Sequence, residues 1–204
     1  MLKFLALGDS YTIGEGVPLN ETWPHQLQQA LLAHQFHMDS PSIVARTGWS
    51  SEELEAALEE AELTGPYDLV TLLVGVNDQY RGYPTENFEP AYKRLLGKAL
   101  TLAGGKCQNV IALSIPDWGI TPFASQHDSD QVSASIDAYN LCSEKQCQQK
   151  DIDFLDITEL SRELSLRPEM LVADQLHPSA LQYASWVRVV LPILMNHLQD
   201  IKSK

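Results

Sequence analysis

The chain has 204 residues, 44% of them hydrophobic and 20% charged, with 11 glycines and 11 prolines. That length suits one domain, or at most two small ones, and buries enough apolar surface to stand without a metal or disulfide scaffold. Its 14 Lys and Arg lie scattered singly against 27 Asp and Glu, a formal charge of −13, which argues against a nucleic-acid partner because such a surface repels a phosphate backbone.

The first apolar run, residues 2–7, reads as a strand and is followed by a helical pattern over 23–36 with Leu27, Leu31 and Leu32 at helical spacing. A second strand at 42–45 leads into a helix over 51–63, which opens on Ser51 and acidic residues and sets Leu54, Leu58 and Ala61 on one stripe. Strands at 69–74, 110–115 and 152–155 alternate with helices over 88–102, 130–149 and 179–199. Pro192 is expected to kink or interrupt the last. The strands are nearly continuous in apolar residues rather than alternating, as in parallel sheets covered on both faces. The pattern predicts a single α/β domain over residues 1–204. Cys107, Cys142 and Cys147 are odd in number and form no CxxC pair, no apolar run is long enough to span a membrane, and residues 1–7 lack the features of a signal peptide. A cytoplasmic protein without stable membrane insertion is the expectation.

In a parallel sheet, ligands bind beyond the carboxyl ends of the strands. There the chain places Gly8-Asp9-Ser10, then Thr47-Gly48, then Gly75-Val76-Asn77-Asp78, then Pro116-Asp117-Trp118, and after the fifth strand Asp174-Gln175-Leu176-His177-Pro178. A hydroxyl nucleophile needs a base within hydrogen-bond reach, and the base needs an orienting partner. Ser10, His177 and Asp174 supply those three types, and Pro178 biases His177 toward an extended backbone that aims its ring at the sheet edge. The Ser10 and Gly48 N–H groups and the Asn77 amide can serve as donors to a developing oxyanion. Together these roles fit acyl transfer to water.

With these blocks the sequence resembles the SGNH hydrolases, the GDSL-type esterase and lipase family, whose four motif residues match Ser10, Gly48, Asn77 and His177. The Asp-x-x-His block matches Asp174 and His177, while Tyr11 stands where the first block often carries Leu. The resemblance covers residues 8–177. It implies a flavodoxin-like three-layer αβα sandwich with a five-stranded parallel sheet in the order 2-1-3-4-5, a Ser-His-Asp mechanism through an acyl-enzyme, and no metal or cofactor.

The substrate is then expected to be a small soluble carboxylic ester, an acetyl ester among the candidates. The alternatives are a thioesterase or lysophospholipase acting on longer acyl chains, and an acyltransferase on the same site. Tyr80, Tyr83, Trp118 and Phe123 are candidates to line an acyl or leaving-group pocket. Arg81 reads as an ion-pair partner for one of the many carboxylates rather than as an anion receptor. A phosphorelay receiver shares the strand order but needs a Lys after the fifth strand, where Asp156-Ile157-Thr158 stands. The composition says nothing of oligomeric state.

Overall fold

The computed structural model describes residues 1–202, with side chains through residue 197. Five strands, β1 (Phe4–Gly8), β2 (Ser42–Ala45), β3 (Leu69–Leu73), β4 (Val110–Leu113) and β5 (Asp153–Leu155), form one sheet in the order β2-β1-β3-β4-β5. Every neighbouring pair is parallel. β1 and β3 are buried along their whole length, which is why their sequences run without polar alternation, whereas the edge strand β2 is only partly covered.

The helices are α1 (Ser10–Ile13), α2 (Trp23–Ala33), α3 (Ser51–Glu60), α4 (Val76–Tyr80), α5 (Thr85–Leu102), α6 (Ser129–Gln148), α7 (Thr158–Leu164) and α8 (Ala180–Lys202). α2 packs against α8, while α5 packs against both α3 and α6. The chain moves from β1 outward to β2 and then back across to β3, so right-handed crossovers put α2 on one face of the sheet and α3, α5 and α6 on the other. Trp23, Leu27, Leu31, Tyr183 and Trp186 fill the first interface; Leu54, Phe88, Tyr92, Leu95 and Tyr139 are buried in the layer opposite. The result is a three-layer αβα sandwich around a five-stranded parallel sheet.

Several boundaries differ from those read in the sequence. The first strand begins at Phe4, because Leu2 forms an isolated bridge to Met38 instead of joining β3. The cap of α3 is Ser50, not Ser51: its hydroxyl accepts from the Glu53 N–H while the Glu53 carboxylate accepts from the Ser50 N–H. α5 starts at Thr85 and contains Pro90 within its second turn. α8 runs through Pro192 without interruption, since tertiary packing of the flanking apolar face outweighs the lost hydrogen bond. The short helices α1, α4 and α7 carry too few residues to show a helical period.

Sheet register positions the chemistry. Gly8 pairs with Leu73 at the carboxyl ends of β1 and β3, so the segments that follow emerge side by side. A Cβ on Gly8 would lie 2.4 Å from the Leu73 carbonyl oxygen and 2.3 Å from the Thr12 hydroxyl. Only glycine permits this close approach.

Candidate active site

Ser10 is the first residue of α1. Asp9 caps that helix, its Oδ1 accepting from the Tyr11 N–H at 3.0 Å. The first helical residue donates its N–H to nothing within the helix, and among the described residues the Ser10 N–H has no acceptor at the sheet edge. The Ser10 Oγ lies 2.9 Å from His177 Nε2, and His177 Nδ1 lies 2.6 Å from Asp174 Oδ2. The Asp174 carboxylate can only accept, so in the neutral imidazole Nδ1 carries the hydrogen and the Nε2 lone pair faces the Ser10 hydroxyl.

The loop that carries the pair is pinned at several points. Asp174 Oδ1 accepts from the backbone N–H of Leu176 at 2.9 Å and of His177 at 3.0 Å, a local turn that allows Gln175 its positive φ of 61°. The Val172 N–H donates to the His177 carbonyl at 2.9 Å, and Leu171 pairs with Pro178 across the base of the loop. Burial alone would raise the Asp174 carboxyl. The bonds from the His177 ring and from the two backbone N–H groups outweigh it and hold the group below its ordinary value, ionised and available to orient the imidazole. The Tyr11 ring packs edge-on against the imidazole at 5.8 Å and against Trp186 at 6.2 Å, closing the side away from solvent.

The other two motif residues face the same point. Gly48 has φ of 86°, and a Cβ built on it would meet no atom within 4 Å, so open space lies over its backbone. Asn77, on α4, donates one Nδ2 hydrogen to the Trp49 carbonyl at 2.9 Å, which fixes its amide plane and leaves the second hydrogen for a ligand. Ser10, Gly48, Asn77 and His177 all line one cleft of about 200 Å³, with Tyr11, Thr47, Val76, Tyr80, Trp118, Phe123 and Leu176. That is below the roughly 300–1,000 Å³ typical of pockets for drug-sized ligands.

One wall of the cleft is aromatic. Trp118 is buried and donates its indole N–H to Gln79 Oε1 at 2.8 Å; Tyr80 packs on it at 5.2 Å, Phe123 at 6.2 Å and His127 at 5.0 Å. The loop below is held by the buried Asp117 carboxylate, which accepts from the Gly119 N–H and from Arg162 Nε, both at 2.8 Å.

The GDSL-like Lipase/Acylhydrolase family model matches residues 6–184 of this sequence. The chain belongs to that family. It is 28% identical over 200 residues to an arylesterase of Vibrio mimicus, the match covering 96% of this chain and 90% of that protein. Among solved structures, TesA superposes with a TM-score of 0.76 at 18% identity, covering 96% of this chain and 99% of the other. A catalytic mutant of Axe2, an acetylxylan esterase from Geobacillus stearothermophilus, superposes at 0.73 and 19% identity, covering 95% and 94%. The protein is a GDSL-type carboxylic ester hydrolase.

Of the positions singled out in the sequence of this esterase, Ser10, Gly48, Asn77, His177, Tyr80, Trp118 and Phe123 line the cleft, and Asp174 stands behind His177. Tyr83 does not. α4 ends at Tyr80, and the turn that follows, with the Tyr83 N–H bonded to the Asp78 carbonyl, carries Tyr83 round to a separate groove with Glu52, Glu86 and Arg94. Thr47, Val76 and Leu176 were not anticipated, although each is the immediate neighbour of a motif residue. Asp78 is also new: its buried carboxylate accepts from the Ser51 N–H at 2.9 Å and the Ser51 hydroxyl at 2.6 Å, tying α4 to the start of α3. The three cysteines are free thiols outside the cleft, and burial pushes the Cys147 thiol up to about 12. Among the described residues no cluster of His, Cys, Asp and Glu is arranged to hold a metal ion, and no helix is long and apolar enough to cross a membrane.

Proposed function

We propose that this esterase hydrolyses small carboxylic esters through Ser10, His177 and Asp174. Ser10 Oγ attacks the ester carbonyl carbon while its proton passes to His177 Nε2; the imidazolium then protonates the leaving alkoxide as the carbon–oxygen bond breaks. Water repeats the sequence on the acyl-enzyme, giving its proton to Nε2 and releasing the acid and free Ser10. Asp174 stays ionised throughout and stabilises the imidazolium. The N–H groups of Ser10 and Gly48 and the free Asn77 Nδ2 hydrogen receive the oxyanion.

The observation that carries this reading is the relay itself: 2.6 Å from Asp174 to His177 and 2.9 Å from His177 to Ser10, opening on a cleft that also holds Gly48 and Asn77. The small cleft volume and its aromatic wall favour a short acyl group with a planar or ring-shaped leaving group over a long acyl chain. The names of the relatives, an arylesterase and an acetylxylan esterase, support the same class.

The test is initial rates on p-nitrophenyl esters from acetyl to palmitoyl, wild type beside Ser10→Ala. The expected result is a Ser10-dependent rate that is highest at two to four acyl carbons. Undiminished turnover in folded Ser10→Ala overturns the mechanism, and a maximum at eight carbons or more overturns the small-ester assignment.

A further inference from the structure

α4 does more than deliver Asn77. Its residues and the one after it hold the loop from Gly48 to Ser51 almost position by position. Arg81 Nη2 donates to the Gly48 carbonyl at 2.7 Å, Asn77 Nδ2 to the Trp49 carbonyl at 2.9 Å, and Asp78 accepts from Ser51. The Ser50 N–H goes to Glu53 Oε2 at 2.8 Å, and that same carboxylate oxygen lies 3.0 Å from Arg81 Nη2. The Trp49 N–H closes a turn onto the Arg46 carbonyl at 3.2 Å. Among the described residues the Gly48 N–H is the backbone donor of this loop for which the protein supplies no acceptor.

We infer that Arg81 is a positioning residue for the oxyanion hole, acting through Gly48. The inference rests on the reading of Gly48 as an oxyanion donor. Gly48 sits at φ of 86° with open space where a Cβ would stand; its N–H belongs to the peptide with Thr47 and its carbonyl to the peptide with Trp49, so holding the carbonyl aims the N–H through the two backbone torsions of Gly48. That carbonyl peptide is held by the Arg81 guanidinium together with the Trp49 N–H bond to Arg46, and the guanidinium is braced by Glu53, the partner of Ser50 in the α3 capping box. A single nitrogen, Nη2, makes both contacts, which are therefore within the repertoire of an ammonium group as well. The ion pair contributes little to folding, because the Arg81 and Glu53 side chains are 37% and 47% exposed and pairs so exposed are weak. Removing Arg81 should therefore disturb catalysis more than stability.

The experiment compares wild type, Arg81→Ala, Arg81→Lys and Asn77→Ala on p-nitrophenyl acetate, with melting temperatures measured alongside. The expected result for Arg81→Ala is a kcat roughly tenfold lower, within the range that small misplacements cost, with KM and the melting point nearly unchanged. Arg81→Lys should recover most of the kcat. Three outcomes overturn the inference: an unchanged kcat in Arg81→Ala; a rise in KM alone, which makes Arg81 a substrate contact; or a fall in melting point that accounts for the lost activity. Asn77→Ala separates the two claims. If it loses activity while Arg81→Ala does not, only the positioning role fails; if neither loses activity, the oxyanion reading fails with it.

Discussion

Two residues near the nucleophile make sharp predictions. At Gly48 a methyl group would meet no protein atom, but it would stand in the space above the backbone and would strain a φ of 86°, a conformation that costs an L-residue about 1–2 kcal/mol. Gly48→Ala is therefore expected to fold and to lose kcat/KM on short esters; equal kcat/KM in the variant would show that no substrate carbonyl approaches that backbone. Asp9 is the other. Burial pushes its carboxyl up to about 8, with the bond from the Tyr11 N–H opposing the rise and the neighbouring Asp78 adding to it, and among the described residues Oδ2 has no hydrogen-bond partner. In the unfolded chain the same group titrates near 4. Between those values the folded state holds the extra proton, so stability falls as pH rises through that window and the penalty is complete above the folded value. Asp9→Asn keeps the shape without the ionisation. Its melting point relative to wild type should improve from pH 5 to pH 9; a constant difference across that range would mean that Asp9 does not titrate there.

Among the elements, α3 shows how a surface helix serves the cleft. Its capping box fixes Ser50, and the residues on either side of that cap, Trp49 and Ser51, are bonded to α4. Ser50→Ala removes the cap hydroxyl and should cost about 1 kcal/mol of folding stability, read as a lower denaturant midpoint at unchanged slope. An unchanged midpoint would show that the Glu53 half of the box holds the helix alone. Legibility in the sequence was uneven at this scale for a physical reason. Strands buried on both faces and long amphipathic helices advertise themselves by periodicity, so the sheet and the five main helices were readable, as were the motif residues at the strand ends. The shift from Ser51 to Ser50 was not, because either serine can cap and only the contact with Asp78 removes Ser51 from the role. The exit of Tyr83 was not readable either: four residues of turn after α4 decide which way a side chain leaves, and no period records that.

Across the molecule, the cleft sits where the chain reverses direction in the sheet, between the ends of β1 and β3, with the last loop folded over it. The paired strands and crossovers explain why Ser10 and Asn77 meet, and that much follows from strand order. The arrival of His177 does not follow from strand order: the Asp174-x-x-His177 block and Pro178 point to it, and the loop is pinned by Val172, Leu171 and Pro178 through bonds that leave no pattern in the sequence. Ser10 and His177 stand 167 positions apart in the chain and 2.9 Å apart in space. Ester turnover is thus a readout of that long-range closure in refolding. After dilution from denaturant, far-UV ellipticity should recover first, as helices and neighbouring strands form through nearer contacts, and hydrolytic rate should return later, when the two ends of the chain have met.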